Sequence, residues 1–184
     1  MDKAKLYEDI KTNVVNCQLC KLCYSRKNAV PGRGNLDTKI LFVGEAPGKN
    51  EDKLGLPFIG FAGKILEDAL KKTGLEKDDV YITNIVKCRP PNNRIPDKEE
   101  ISTCLAYLKK EIQIISPSIV CVLGATVLQS LLNLKSIHLY HGKTITIDKI
   151  NYFITYHPAA TIYNNGLREL FFNEINMVVN MVNK

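Results

Sequence analysis

The 184-residue sequence contains no apolar run approaching the roughly 20 residues needed to cross a bilayer. Its opening residues, Met1-Asp2-Lys3-Ala4-Lys5, are charged and lead into no apolar leader segment, which predicts a cytoplasmic protein without a secretory signal or a membrane partner. Glycine-rich phosphate loops are also missing. Neither Gly48-Lys49 nor Gly63-Lys64 follows a suitably placed earlier glycine, and neither precedes Ser or Thr, which excludes a P-loop. No GxGxxG is present, so the dinucleotide fingerprint is excluded too. Internal repeats, linkers and low-complexity tracts are absent. Six cysteines are present, but in a cytosolic chain thiols stay reduced. A disulfide scaffold is therefore excluded, and a metal or redox role is favoured.

What remains is an ordinary globular composition, 45% apolar and 24% charged. A chain of this length buries roughly 70% of its unfolded surface, enough for a true core, and reads as a single domain over residues 1–184. Twenty-five Lys and Arg against 19 Asp and Glu give a net charge of +6, which points weakly to an anionic partner.

Apolar spacing predicts a helix over residues 4–15, ending near the first cysteine. The stretch Cys17–Lys39 is basic and turn-rich, and its Pro31-Gly32-Arg33-Gly34-Asn35 fits neither a helix nor a central strand. Continuous apolar runs at Ile40–Val43, Val80–Thr83 and Ile119–Leu123 predict strands buried on both faces. Helices are expected from Gly63 to Thr73, with Gly74 at the C-terminal cap, from Asp97 to about Ile115 behind a capping box with Glu100, after Gly124 through Leu132, and from about Leu167 to Val182. Thr144–Ile147 and Tyr152–Thr155 flank Asp148-Lys149 and predict a hairpin. Alternating strands and helices imply an α/β fold, a three-layer α/β/α sandwich around a mostly parallel sheet.

The unusual residues fall at strand ends. Gly44-Glu45-Ala46-Pro47-Gly48 follows the first strand, Thr83-Asn84 ends the second, and Tyr156-His157-Pro158 ends the last. Open α/β sheets bind ligands outside the carboxyl ends of their strands, so these elements are expected to share one crevice. Pro158 pushes the His157 backbone to extended geometry. His138 and His141 read as loop histidines without a role. Cys17 and Cys20 form a Cys-x2-Cys knuckle, a pair able to hold two corners of a metal or cluster site to which four of the six cysteines would contribute, with Cys88 just after the second strand and Cys104 within the long helix. A zinc ribbon would want a second close pair, and unrelated thiols are the alternative. Cys121, in an apolar strand, reads as an inert core thiol, and Cys23 is unassigned. Five cations against one acid lie between Cys17 and Lys39, and Lys87, Arg89, Arg94 and Lys98 surround Cys88. Loop cations beside a pocket suit phosphate contacts to nucleic acid.

Taken together, Cys17-x2-Cys20, Val30-Pro31-Gly32-Arg33-Gly34, the Gly44–Gly48 segment, Gly55-Leu56-Pro57-Phe58-Ile59-Gly60-x2-Gly63, Thr83-Asn84-Ile85-Val86-Lys87-Cys88-Arg89-Pro90-Pro91-x-Asn93-Arg94-x-Pro96, Cys104 and His157-Pro158-Ala159-Ala160 resemble the family 4, iron–sulfur uracil-DNA glycosylases. The resemblance implies DNA repair by a monomer that flips uracil out of single- or double-stranded DNA, hydrolyses its N-glycosidic bond and leaves an abasic site. It implies a [4Fe-4S] cluster on Cys17, Cys20, Cys88 and Cys104. Phe58 would stack on the base, and Asn84 would read its N3–H and O4. His157 would stabilise charge growing on O2. Gly44, Ala46, Pro47 and Gly48 would face the sugar and the attacking water. Better-known uracil glycosylases carry an aspartate where this chain has Ala46, so Glu45 is assigned the water, and Glu51 closes the pocket against a thymine methyl. The segment Pro158–Asn165 would approach the duplex as a wedge, with Tyr163 where some members carry arginine. A related branch uses a histidine near Arg94 for covalent trapping, and this chain has none there. A non-catalytic nucleic-acid-binding module and a zinc-loaded site are the competing readings.

Overall fold

The computed structural model describes residues 2–162 and 164–182. Tyr163, the wedge position, lies outside the described residues. A six-stranded sheet has the order β1-β3-β2-β4-β6-β5. Its centre is parallel: β2 (Ile40–Gly44) lies between β3 (Tyr81–Asn84) and β4 (Ile119–Leu123), and β4 is followed by β6 (Ile150–Thr155). Both edges are antiparallel, from β1 (Arg33–Gly34) and β5 (Thr144–Ile147). The chain steps from β2 to β3 on one side and then to β4 on the other. This reversal opens a crevice at the carboxyl ends of β2 and β4.

Every residue of β2, β3 and β4 is buried, as the uninterrupted apolar runs require. Side chains alternate between two cores. Leu41, Val43, Val120 and Val122 meet α1 (Lys3–Val15), α4 (Lys98–Ile115) and α5 (Ala125–Leu132) on one face. Ile40, Phe42, Cys121 and Phe153 meet α3 (Phe61–Lys72) and α7 (Asn165–Val182) on the other. Truncating a ring as enclosed as Phe42 would cost about 3–5 kcal/mol. Cys121 sits wholly within the second core, and burial holds its thiol well above the ordinary range. It is the inert thiol that its strand context predicts.

Local chemistry explains several boundaries. Asp97 accepts from the Glu100 amide while Glu100 accepts from the Asp97 amide, closing the expected capping box. Asp148 and Lys149 both take positive φ, of 50° and 67°, which supplies the turn twist that a two-residue hairpin needs. Two short helices depart from the sequence expectation: α2 (Lys49–Leu54) and α6 (Ile137–Tyr140). The first is fixed from outside, because the Asp52 carboxylate accepts from the Lys27 amide at 2.8 Å. α3 also begins earlier than expected, at Phe61, and α7 at Asn165. No helix among the described residues is long and apolar enough to cross a membrane.

Candidate active site

A cleft of about 600 Å³ opens at the carboxyl ends of the parallel strands. The segment after β2 (Glu45 to Glu51, running into the first turn of α2), Phe58, Asn84 and His157 all line it. Thus the three strand-end elements do converge. Gly44, the last residue of β2, is not itself among the residues that line the cleft, but it sits against two that are. A Cβ there would lie 2.5 Å from the Asn84 Oδ1 and 2.5 Å from the Phe58 ring, so only glycine lets these two side chains meet. The loop is stitched to the segment after β3 through Ile85 N–H to the Gly44 carbonyl (2.9 Å) and Val86 N–H to the Glu45 carbonyl (3.2 Å). Glu45 is partly buried at the cleft wall.

Phe58 is held in an uncommon backbone state, φ 52°, which costs a non-glycine residue about 1–3 kcal/mol unless its surroundings impose it. Those surroundings are specific. The buried Glu51 carboxylate accepts from the amides of Ile59 (3.0 Å) and Gly60 (2.7 Å). On the other side Lys77 donates to the Phe58 carbonyl at 2.8 Å. The ring, 5% exposed, therefore forms a fixed wall with its centroid 6.1 Å from that of His157. Glu51 lines the cleft, and its hydrogen bonds make it the clamp of the Phe58 turn.

His157 follows β6. Its Nδ1 accepts from the Ala159 amide at 3.2 Å, so in the neutral ring the proton lies on Nε2. Burial lowers its pKa to about 4, which keeps the imidazole neutral at physiological pH and makes Nε2–H a donor. Gly124 (φ 97°) abuts it, where a Cβ would come within 2.9 Å of the histidine's own. The histidines left without a role brace this region: His138 Nδ1 is 2.8 Å from the Tyr156 hydroxyl, and His141 Nδ1 is 2.7 Å from Glu174 Oε1. Thr155 donates to the other Glu174 oxygen at 2.6 Å.

Cysteines 17, 20, 23, 88 and 104 line a second, smaller cavity. Among the described residues no three His, Cys, Asp or Glu donors group around a single ion. The five thiols line one cavity instead. Two donors already point at the sulfurs: Arg26 Nη1 lies 2.9 Å from Cys88 Sγ, and the Lys87 amide 3.2 Å from Cys104 Sγ. Arg26 also donates to the carbonyls of Val15 (3.0 Å) and Cys17 (2.8 Å), tying the end of α1 and the knuckle to Cys88. Burial pushes the Cys104 thiol up to about 12 and the Cys88 thiol upward. Loading such a site must therefore release protons.

The charge reading needs correction. Lys87, expected among the loop cations free for phosphate, is 1% exposed and pairs with Glu111 at 2.6 Å. Arg26 turns toward the thiols, and Arg94 forms two bonds to the buried Glu100 carboxylate (2.9 and 2.7 Å). A cation in a sequence looks alike whether it faces solvent or fills a polar core. Arg94 nonetheless lines the cleft with Lys49 and Asn93.

Comparison with known proteins agrees with this geometry. Residues 31–180 match the uracil DNA glycosylase superfamily. The chain is 48% identical over 173 residues to a type-4 uracil-DNA glycosylase of Sulfurisphaera tokodaii, covering 89% of this chain and 79% of that protein. It is 43% identical over 187 residues to the type-4 enzyme of Pyrobaculum aerophilum (96% and 93% covered) and 40% identical over 187 residues to that of Thermotoga maritima (99% and 97% covered).

Proposed function

The chain belongs to the uracil DNA glycosylase superfamily, and from that premise we propose that it is a monofunctional DNA repair enzyme that excises uracil from DNA, acting in the cytoplasm as a single-domain monomer. The observation that carries this reading is the meeting of Asn84, Phe58 and a neutral His157 in one cleft. A base inside a duplex is out of reach of such groups, so the uridine must be flipped into the cleft. Phe58 supplies an aromatic face of fixed position. Asn84 pairs its carboxamide oxygen with uracil N3–H and its amide with O4, whereas cytosine reverses that pattern. Polar groups left unpaired by the wrong base make the discrimination strong.

In the reaction the N1–C1′ bond breaks with its electron pair passing to uracil, and a water oxygen bonds to C1′. His157 Nε2–H faces the uracil O2 and stabilises the growing charge, a contribution of about 3 kcal/mol for a preorganised donor. Glu45 orients the water and accepts its proton. Gly44, Ala46, Pro47 and Gly48 shape the wall beside the sugar, and Glu51 keeps the Phe58 turn closed where a thymine methyl would need room. Cys17, Cys20, Cys88 and Cys104 would hold a [4Fe-4S] cluster, which would brace the knuckle against the loop after β3 and takes no electrons in a hydrolysis. The test is release of uracil from single- and double-stranded oligonucleotides, read as alkali-labile strand breaks. Thymine-containing controls should stay intact. Tight binding without breaks would favour the non-catalytic module, for which Ala46 is the motivating residue. Iron and sulfide analysis of anaerobically purified protein decides between cluster and zinc.

A further inference from the structure

The Lys87–Glu111 ion pair lies in the interior between the cysteine cavity and the base-reading cleft, and no step above uses it. Both side chains are almost completely enclosed, at 2% and 1% exposure. All three ammonium protons are placed: on Glu111 Oε2 (2.6 Å), on the Thr83 hydroxyl and on the main-chain carbonyl of Asn84 (3.0 Å). The carboxylate in turn accepts from the Gly32 amide (3.0 Å), the Tyr81 hydroxyl (3.3 Å) and the Thr83 hydroxyl (2.8 Å).

Such a pair is a poor device for stability alone. Desolvating two charges costs several kcal/mol each, and a well-packed apolar pair of similar volume is commonly as stable or more so. Its placement is more informative. Asn84 ends β3 with its carboxamide against Gly44, where there is no spare room for even one added carbon. Lys87 lies three residues further on, and its own backbone is fixed by the amide contact to Cys104 Sγ and by the Val30 amide on its carbonyl (2.7 Å). The side chain thus loops back from a pinned backbone to grip the carbonyl of the base-reading residue. We infer that Lys87, held by Glu111, is a positioning residue for base recognition: it fixes the Asn84 main chain and so sets where the Asn84 carboxamide meets the base. This rests on the uracil-excision reading.

Lys87→Met alone would leave a buried carboxylate unpaired, so the informative variant is Lys87→Met with Glu111→Gln, which cancels both charges and keeps an acceptor for the Gly32 amide. The expected result is a folded protein with near-native melting temperature and unchanged affinity for an abasic-site oligonucleotide. Single-turnover uracil release should fall about 10- to 100-fold, as displacement of a reading group by about 1 Å entails. Inhibition by free uracil should weaken in parallel. A folded double variant with native release rate and native uracil inhibition would overturn the inference. So would an equal loss of abasic-site affinity, which would mark a general structural role. Should the double variant not fold, Thr83→Val, which keeps the ion pair and removes the hydroxyl that bonds both Lys87 and Glu111, is judged by the same readouts, with a smaller loss expected and no loss overturning the idea. If the unmodified protein releases no uracil, the excision reading itself fails, before any variant is compared.

Discussion

His157 is a donor at neutral pH because its surroundings disfavour the charged ring. Enclosure lowers its pKa from 6.5 to about 4, and the Ala159 amide occupies Nδ1. The folded pKa lies below the unfolded one, so the unfolded chain takes up the proton first. The stabilising contribution is complete above about pH 6.5 and is lost as pH falls toward 4, with a slope of at most about 1.4 kcal/mol per pH unit. Acid melts should show that trend, and histidine replacement should flatten it. For catalysis, the rate should pass through pH 6.5 without an inflection, since the working form is already neutral. A fall in rate centred there would show that the imidazolium is not excluded. Asn84 admits an equally direct test. Asn84→Asp exchanges the amide donor for a second acceptor and should lower uracil release by two orders of magnitude or more, because polar complementarity is lost in an enclosed site. Gly44→Ala should be nearly as damaging without touching the base, since its methyl would displace Asn84 and Phe58 together. A rate for either variant close to native would contradict the assigned geometry.

Among the elements, those with strong periodicity or clear chemistry were legible in advance. The apolar runs of the central strands, the Asp97 capping box and the Asp148-Lys149 hairpin all carry their instructions locally. α2 was not legible, because its six residues, Lys49-Asn50-Glu51-Asp52-Lys53-Leu54, have no apolar stripe and are fixed by distant partners at Lys27 and Asn28. That helix matters for the site. It carries Glu51, which reaches across to the amides of Ile59 and Gly60 and holds Phe58 at positive φ. Glu51→Ala would leave two amides without their acceptor and release the strained turn. A loss of about 1–3 kcal/mol is expected in chemical denaturation, with uracil release reduced more than affinity for undamaged DNA. An unchanged release rate would confine Glu51 to fold stability.

At the scale of the molecule, two sites share one short segment. Asn84 lines the cleft and Cys88 the cysteine cavity, with Lys87 buried between them. The crevice position and its polar residues were visible in the order of motifs, and so were four of the five cysteines that line the second cavity, Cys23 being the one left unassigned. The links between them were not: Lys87 reads as a loop cation and Arg26 as part of a basic stretch, and nothing in the sequence singles out Glu111. Sequence patterning reports which side chains are polar, while only the assembled fold reports that three of them face inward. On the proposed reading the cysteine site is a structural partner of recognition, a role that can be measured. Cys88→Ala removes one proposed cluster ligand and the sulfur that Arg26 contacts. Bound iron should fall, the melting temperature should drop as the knuckle loses its anchor, and uracil release should decline with it because the chain directly after Lys87 loses its tie to Arg26. Arg26→Met keeps all the thiols and removes only the guanidinium that joins Val15, Cys17 and Cys88. Iron should be retained there at first and lost faster on exposure to a chelator. If Cys88→Ala lost its iron but kept native melting and native uracil release, the cluster would be an ornament of the fold, and the coupling between the two sites would be refuted.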